Sequence, residues 1–150
     1  MTTAVTRPFT VTARIDTPHS NPAPAAYTVT VYMNTHRDNF DGYEPHHPLA
    51  AATRLDGSPL RLVFHASDRI HNHEAAAGAA FDVGNHERAD DDGQTWPGDI
   101  IRSVSTGDVI KITGPDHWIV HLRVDPVGFS AVPEPTTLVD LAGTRATRRL

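Results

Sequence analysis

The segment from Ile101 to Ile110 constrains this chain more than any other, because a polar turn there runs directly into a strand pattern. Its residues read Arg-Ser-Val-Ser-Thr-Gly-Asp before the apolar Val109 and Ile110. Glycine tolerates a positive φ, and an aspartate in a turn accepts hydrogen bonds from nearby backbone N–H groups. Gly107 and Asp108 therefore predict a tight turn that begins a buried strand, and the segment indicates no chemistry.

Length and composition suit one globular core with a considerable share of loop. The chain has 150 residues, of which 12 are proline and 10 are glycine. Cysteine is absent, which rules out disulfides and thiolate metal sites and favours a reducing compartment. No secretory signal is recognisable, and no apolar run approaches the roughly 20 residues of a membrane span. We expect a cytoplasmic protein without a membrane partner.

Alternating apolar and polar residues predict most of the strands. The clearest strand covers residues 27–33, where Tyr27, Val29, Val31 and Met33 share one face. Further strands are predicted at 49–55, 60–64, 108–113, 118–124 and 127–132. The turn signal Asp56-Gly57 joins the first two of these into a candidate hairpin. A similar pattern at 9–15 predicts an edge strand.

One helix is expected at residues 68–82. Ser67 is its predicted N-cap, Phe81 its anchor in the core and Gly84 its stop. These elements predict an α+β fold, in which one main helix packs on a curved, mostly antiparallel sheet or partly open barrel of five to six strands. We expect this single domain at 26–132, between an extended N-terminal arm at 1–25 and a C-terminal tail at 133–150 that order only on assembly.

The order of several short sequences resembles a known family. Ala-Ala-Phe-Asp-Val-Gly-Asn at 79–85 precedes the Arg-Ser-x-Ser-x-Gly-Asp-Val motif at 102–109, and Gly128-Phe129 follow. Over residues 26–130 the chain resembles the YodL-like and related small proteins of actinobacterial plasmids, phages and integrated elements. It departs from their pattern at Val104, where Leu or Met is usual, and at Val83-Gly84. The resemblance implies an accessory role in a mobile element and brings no catalytic residues.

Partner-binding residues are expected on two loops and at the turn motif. The loops at 35–48 and 85–99 present the aromatic residues Phe40, Tyr43 and Trp96. Arg102 and Asp108 either shape the turn, which we favour, or form a polar patch in which Arg102 reaches a phosphate or carboxylate. We therefore expect a non-catalytic interaction protein without a cofactor, which binds a protein partner or self-associates.

A nucleic-acid-binding protein is the first alternative. The formal net charge of −5 argues against a broad basic surface. The C-terminal end is nevertheless basic, and Arg145, Arg148 and Arg149, together with Arg102, are the candidates for phosphate contacts.

A small histidine-dependent metalloenzyme is the second alternative. The chain has 10 histidines, and if a metal site forms we expect His65, His71 and His86 as its ligands. His46 and His47 are adjacent in a loop and are not preferred. The acidic run Asp90-Asp91-Asp92-Gly93 fails the spacing of a calcium loop, so we expect it to be a solvated loop.

Overall fold

The computed structural model describes residues 25–36 and 41–147, together with the backbone of 4–5 and 7–8. These residues contain one helix, α1 (His73–Gly84), and eight strands. The strands are β1 (Ala4–Val5), β2 (Arg7–Pro8), β3 (Ala26–Asn34), β4 (Leu49–Ala51), β5 (Leu62–His65), β6 (Val109–Thr113), β7 (Ile119–Val124) and β8 (Phe129–Val132). β1 and β2 pair with each other, and the predicted strand at 9–15 lies outside the described residues.

The other six described strands form one antiparallel sheet in the order β4-β3-β6-β7-β8, with β5 also paired to β3. β5 and β4 share one edge of β3, since Tyr27 pairs with Phe64 and Tyr32 pairs with Ala51. The expected hairpin between the strands at 49–55 and 60–64 is reduced to one bridge, because both strands pair with β3 instead. The sheet does not close into a barrel, and the α+β prediction is confirmed.

The main core lies between α1 and one face of the sheet. Alternate residues of the central strands are buried there, among them Val29, Val31, Ile110, Ile112 and Leu122. The helix buries small residues against them, namely Ala76, Ala77, Ala79, Ala80, Val83 and Gly84. Phe81 is therefore not the anchor expected from the sequence. It is only partly buried and meets Phe129 edge to face, with ring centroids 6.5 Å apart.

The helix begins at His73, later than the predicted start at residue 68. Ser67 does cap a turn, because its Oγ accepts hydrogen bonds from the backbone N of Arg69 and Ile70 at 3.2 and 3.1 Å. That turn ends before α1. Asn72 is the N-cap, and its Oδ1 accepts from the backbone N of Ala75 at 2.7 Å. Ser67 and Asn72 are both suitable capping residues close together in the sequence, and the predicted N-cap, Ser67, is the wrong one of the two.

Gly84 at the end of α1 lies against Val104 of the turn motif. A Cβ at Gly84 would overlap Val104 Cγ2 and lie 2.9 Å from Val104 Cβ. We expect Gly84→Ala to lower the free energy of unfolding by about 1–3 kcal/mol, because Val104 is buried and has little room to move. Gly78 is the matched control, since nothing lies within 4 Å of its Cβ position. Gly78→Ala should stabilise by about 0.5–1 kcal/mol, and equal effects in urea unfolding would contradict the packing argument.

The acidic run at 90–92 covers the outer edge of β5. Asp90 Oδ2 accepts from the backbone N of Val63 at 2.9 Å, and Asp91 Oδ2 accepts from the backbone N of His65 at 2.6 Å. The backbone N of Asp91 donates to Val63 O at 3.0 Å. The expectation of a solvated loop is therefore wrong for Asp90, which is buried, because its carboxylate satisfies N–H groups that an edge strand leaves unpaired.

The C-terminal segment at 133–147 packs on the domain, where the sequence predicts a tail. The backbone N of Leu49 donates to Thr137 O at 2.9 Å, and the backbone N of Val139 donates to Leu49 O at 2.8 Å, so this segment covers the outer edge of β4. Further along, Leu141 and Ala146 are buried in the main core. Leu141 and Ala146 make this segment part of the core.

Candidate functional site

An ion pair between a partly buried arginine and a fully buried aspartate lies in the turn motif before β6. Arg102 Nη2 and Nη1 donate to Oδ1 and Oδ2 of Asp108 at 2.7 and 2.8 Å, and Asp108 is 0% exposed. The same carboxylate accepts from the backbone N of Asn34 and of Ser105, at 2.8 and 2.9 Å. Gly107 has a φ of 97°, which confirms the predicted positive φ. The motif thus ties the start of β6 to the end of β3.

Other hydrogen bonds of the Arg102 side chain are also internal. Its Nη1 donates to Ser103 O at 3.0 Å, and its Nη2 donates to Asn34 O at 2.9 Å. Burial lowers the pKa of Arg102, while its hydrogen bonds with Asp108 and the Asp108 charge raise that pKa by more. These contacts favour the turn-shaping interpretation of Arg102 and Asp108 over recognition of an external anion.

Asn34, which is fully buried at the end of β3, joins the ion pair to a histidine-containing loop. Its Oδ1 accepts from the backbone N of His36 at 2.9 Å, and its Nδ2 donates to Gly107 O at 2.9 Å. These two partners fix which side of the amide carries the oxygen. The Asn34 Nδ2 that lies 3.0 Å from His47 Nδ1 is therefore a donor to the imidazole.

His47 is held as a neutral hydrogen-bond acceptor. Its Nδ1 accepts from Asn34 Nδ2 at 3.0 Å and from the backbone N of Glu44 at 3.1 Å. A ring nitrogen that accepts carries no proton, so the single proton of the neutral ring is on Nε2. Burial lowers the pKa of His47, the charges of His36 and His46 lower it further, and Glu44 opposes them.

Three imidazoles meet at this loop and form the histidine cluster of His36, His46 and His47. One potential ligand atom of each lies within 4.8 Å of the other two. His36 stacks on His47 with ring centroids 4.1 Å apart, and His46 meets His47 at a steep angle with centroids 4.7 Å apart. Closely packed imidazoles are the donor set of many transition-metal sites, and they can bind a metal ion only through ring nitrogens whose lone pairs are free.

His47 does not fit the role of a metal ligand in this hydrogen-bonding arrangement. A histidine that binds a metal ion through one nitrogen normally donates the N–H of the other to an acceptor. The Nδ1 of His47 instead accepts from two N–H groups, which uses its lone pair and leaves the proton on Nε2. The cluster therefore contains a fixed acceptor rather than three available ligands.

The trio expected from the sequence does not come together. His65 lies at the end of β5, whereas His71 precedes α1 and His86 follows it. Twelve helical residues at about 1.5 Å each separate His71 from His86 by about 18 Å. Among the described residues, the histidines that do converge are those of the cluster.

The other residues proposed from the sequence occupy different environments. Tyr43 and Trp96 are 5% and 4% exposed, so both rings belong to the interior. Trp96 Nε1 donates to Arg102 O at 3.0 Å, and Tyr43 meets His47 at a steep angle with centroids 6.1 Å apart. Arg145 is exposed. Three further candidates lie outside the described residues, namely Phe40, Arg148 and Arg149.

In the described residues, the outer edge of β8 is not covered by another segment, whereas the outer edges of β4 and β5 are. The backbone N of Val124 donates to Asp108 O at 2.8 Å, and Val124 O accepts from Gly107 N at 2.9 Å. Both groups of Val124 thus point away from β8, so its partner Phe129 directs its own N–H and C=O outward. Alternation gives Ala131 the same orientation. In the described part of the chain, no backbone hydrogen bond reaches these outward groups.

Two clefts flank this edge, one on each face of the sheet. The helix-side cleft, of about 370 Å³, is lined by residues of α1 and the β7–β8 turn, including Phe81, Asp82, Asp125 and Phe129. The outer cleft, of about 390 Å³, is lined by Lys111, His121, Ala131, Val132 and Glu134 among others. Backbone groups and clefts together resemble an acceptor for another strand.

Comparisons with family models, with curated proteins and with solved structures found no match to this chain. No helix in residues 25–36 or 41–147 is long and apolar enough to cross a membrane. The ion-pair network, the histidine cluster and the β8 edge are therefore the features from which function is inferred.

Proposed function

We propose that this protein is a non-catalytic protein-binding module that accepts an extended segment of a partner along β8. The observation that carries the proposal is the outward orientation of the backbone groups of Phe129 and Ala131. Side chains of the 90–92 run cover the edge of β5, and the C-terminal segment covers the edge of β4. The β8 edge has no such cover in the described residues, and it is the place where a strand can be added.

The clefts indicate the chemistry of the segment that binds. In an added strand, alternate side chains point to opposite faces of the sheet and enter different clefts. The described lining of the helix-side cleft includes Asp82 and no basic residue, which favours a basic side chain there, whereas Asp125 in the same lining is paired with Arg123. In the outer cleft, apolar Ile119 and Val132 favour an apolar side chain, and the charged Lys111 and Glu134 of the same lining are opposite in sign and favour no net charge. An accessory role in an actinobacterial mobile element, which the resemblance implies, is compatible with such binding.

The experiment selects random peptides on the full chain and locates the bound peptide by amide hydrogen exchange. We expect the selected peptides to protect the amides of β8 and to carry basic and apolar residues in alternation. Ala131→Pro removes an outward N–H without removing a bond to β7, so the fold should persist while peptide affinity falls by about tenfold or more. Ala131→Thr keeps the N–H and is the matched control.

Two outcomes would contradict the proposal. The first is protection of amides away from β8 by the selected peptides. The second is equal affinity of the wild-type protein and a folded Ala131→Pro variant for those peptides.

A further inference from the structure

The loop at 41–48, which contains two members of the histidine cluster, covers a second and smaller core. That small core consists of Tyr43, Leu49 and Val109, with Tyr32 and Val132 packed against it. It lies on the sheet face opposite α1, since Val109 pairs with Tyr32 and alternates with the helix-facing Ile110. If the loop left the sheet, these apolar side chains would become exposed.

His47 makes one of the hydrogen bonds that hold this loop on the sheet and a second one within the loop. Its Nδ1 accepts from Glu44 N within the loop and from Asn34 Nδ2 at the end of β3. Next to it, Pro48 O accepts from the backbone N of Thr35 at 3.0 Å and from Thr35 Oγ1 at 2.7 Å. His47 itself is 4% exposed, so its ring is enclosed between the loop and the sheet.

Protonation of His47 is incompatible with both of its hydrogen bonds. An imidazolium carries an N–H on each nitrogen, so Nδ1–H would point at the N–H of Glu44 and at Nδ2 of Asn34. Asn34 cannot present its oxygen instead, because Oδ1 accepts from His36 N and Nδ2 donates to Gly107 O. A proton on Nδ1 therefore replaces two attractive contacts with two repulsive ones.

The charged groups around His47 add to this effect on balance. From the segment after β3, His36 stacks on the ring, and from the loop His46 lies beside it, and the charges of both lower the pKa of His47. Glu44 in the loop favours a positive charge. In the described part of the chain, Asn34 connects the Arg102–Asp108 pair to His47, and that pair is neutral.

We propose that His47 is a proton-sensitive latch, which holds the 41–48 loop closed when neutral and releases it from the small core when protonated. The released loop would also change a cleft of about 420 Å³ that Tyr43, Glu44 and Pro45 line beside Val132 of β8. That consequence rests on the proposed binding at β8. The latch does not, because loop release is a property of the protein alone.

The direction of the pH dependence follows from the two states of the ring. The folded protein lowers the pKa of His47 from its ordinary 6.5, so the neutral ring stabilises the fold. This stabilisation is complete above the ordinary pKa and is lost as the pH falls through the lower pKa of the folded state.

The test measures amide hydrogen exchange of residues 41–48 in the full chain at about pH 7.5 and about pH 5, corrected for intrinsic exchange rates. We expect the loop to lose protection by about tenfold or more at the lower pH, while β3 and β6 keep theirs. His47→Asn places an oxygen near the position of Nδ1 and cannot titrate, so its loop should stay protected at both pH values. His46→Asn is the matched control and should keep the pH dependence.

NMR of the wild-type imidazoles keeps the proposal testable if His47→Asn does not fold. We expect His47 to carry its proton on Nε2 while the loop is closed, and a proton on Nδ1 would overturn the proposal. Unchanged loop protection in the wild type, or pH dependence that persists in His47→Asn, would also overturn it. So would stoichiometric binding of Zn²⁺ alone that His47→Asn abolishes, because it would show that the ring nitrogen is available to a metal. Failure of the Ala131→Pro test would leave all of these measurements unaffected.

Discussion

Replacing Asp108 by Ala is expected to lower the free energy of unfolding by about 3–5 kcal/mol. The substitution removes an acceptor of two bonds from Arg102 and of one each from the backbone N of Asn34 and Ser105. The Arg102 side chain, which is only 25% exposed, would be left without a counter-ion. The loss is large because the interior provides no water to replace the carboxylate.

Urea unfolding of the full chain measures this loss, and Asp125→Ala is the control. Asp125 also forms an ion pair with an arginine, Arg123, at 2.9 Å, but the two side chains are 21% and 41% exposed. We expect Asp125→Ala to cost about 1 kcal/mol or less. A similar cost for the two variants would show that Asp108 contributes no more than a surface ion pair.

Replacing Leu141 by Ala is expected to cost about 2–4 kcal/mol, although it lies in a segment that composition marks as a tail. Leu141 is 8% exposed and packs in the main core, whereas Leu138 in the same segment is 54% exposed. Leu138→Ala should therefore change stability by less than about 1 kcal/mol. Thermal or urea unfolding of the two variants compares the same substitution at a buried and at an exposed position.

Removal of residues 133–150 should lower the stability by more than Leu141→Ala does. The deletion also removes Ala146 from the core and the hydrogen bonds to both backbone groups of Leu49. Circular dichroism during heating would detect the loss of the cooperative transition. A truncated chain that melts near the wild-type temperature would show instead that the segment only covers a domain that is stable without it.

Consecutive residues were sufficient to predict the six strands of the main sheet and the turn before β6, but not β1 and β2. The alternation at 27–33 corresponds to β3 (Ala26–Asn34), and the patterns at 108–113 and 118–124 correspond to β6 (Val109–Thr113) and β7 (Ile119–Val124). These features depend on a period of two residues, and the turn depends on the freedom of a glycine. Both are properties of neighbouring residues, so no knowledge of the fold was needed.

The helix and the chain end were predicted less well, because composition does not say what a segment packs against. Phe81 is the largest residue of α1, but Gly84 and the alanines bring the helix close to the sheet and leave the ring at its margin. The segment after residue 132 is rich in proline and threonine and poor in large apolar groups. Leu141 and Ala146 nevertheless suffice to anchor it.

The candidate site was the least predictable part of the protein, since its partners are distant in the sequence. Asn34 is 74 residues from Asp108 and 13 residues from His47, and the pairing of β3 with β6 brings the first two together. Local patterns specify which residues form strands and turns, because they act between neighbours. The tertiary structure alone specifies which buried donors and acceptors meet, because strand pairing and the enclosed loop select their partners, and this selection makes His47 an acceptor.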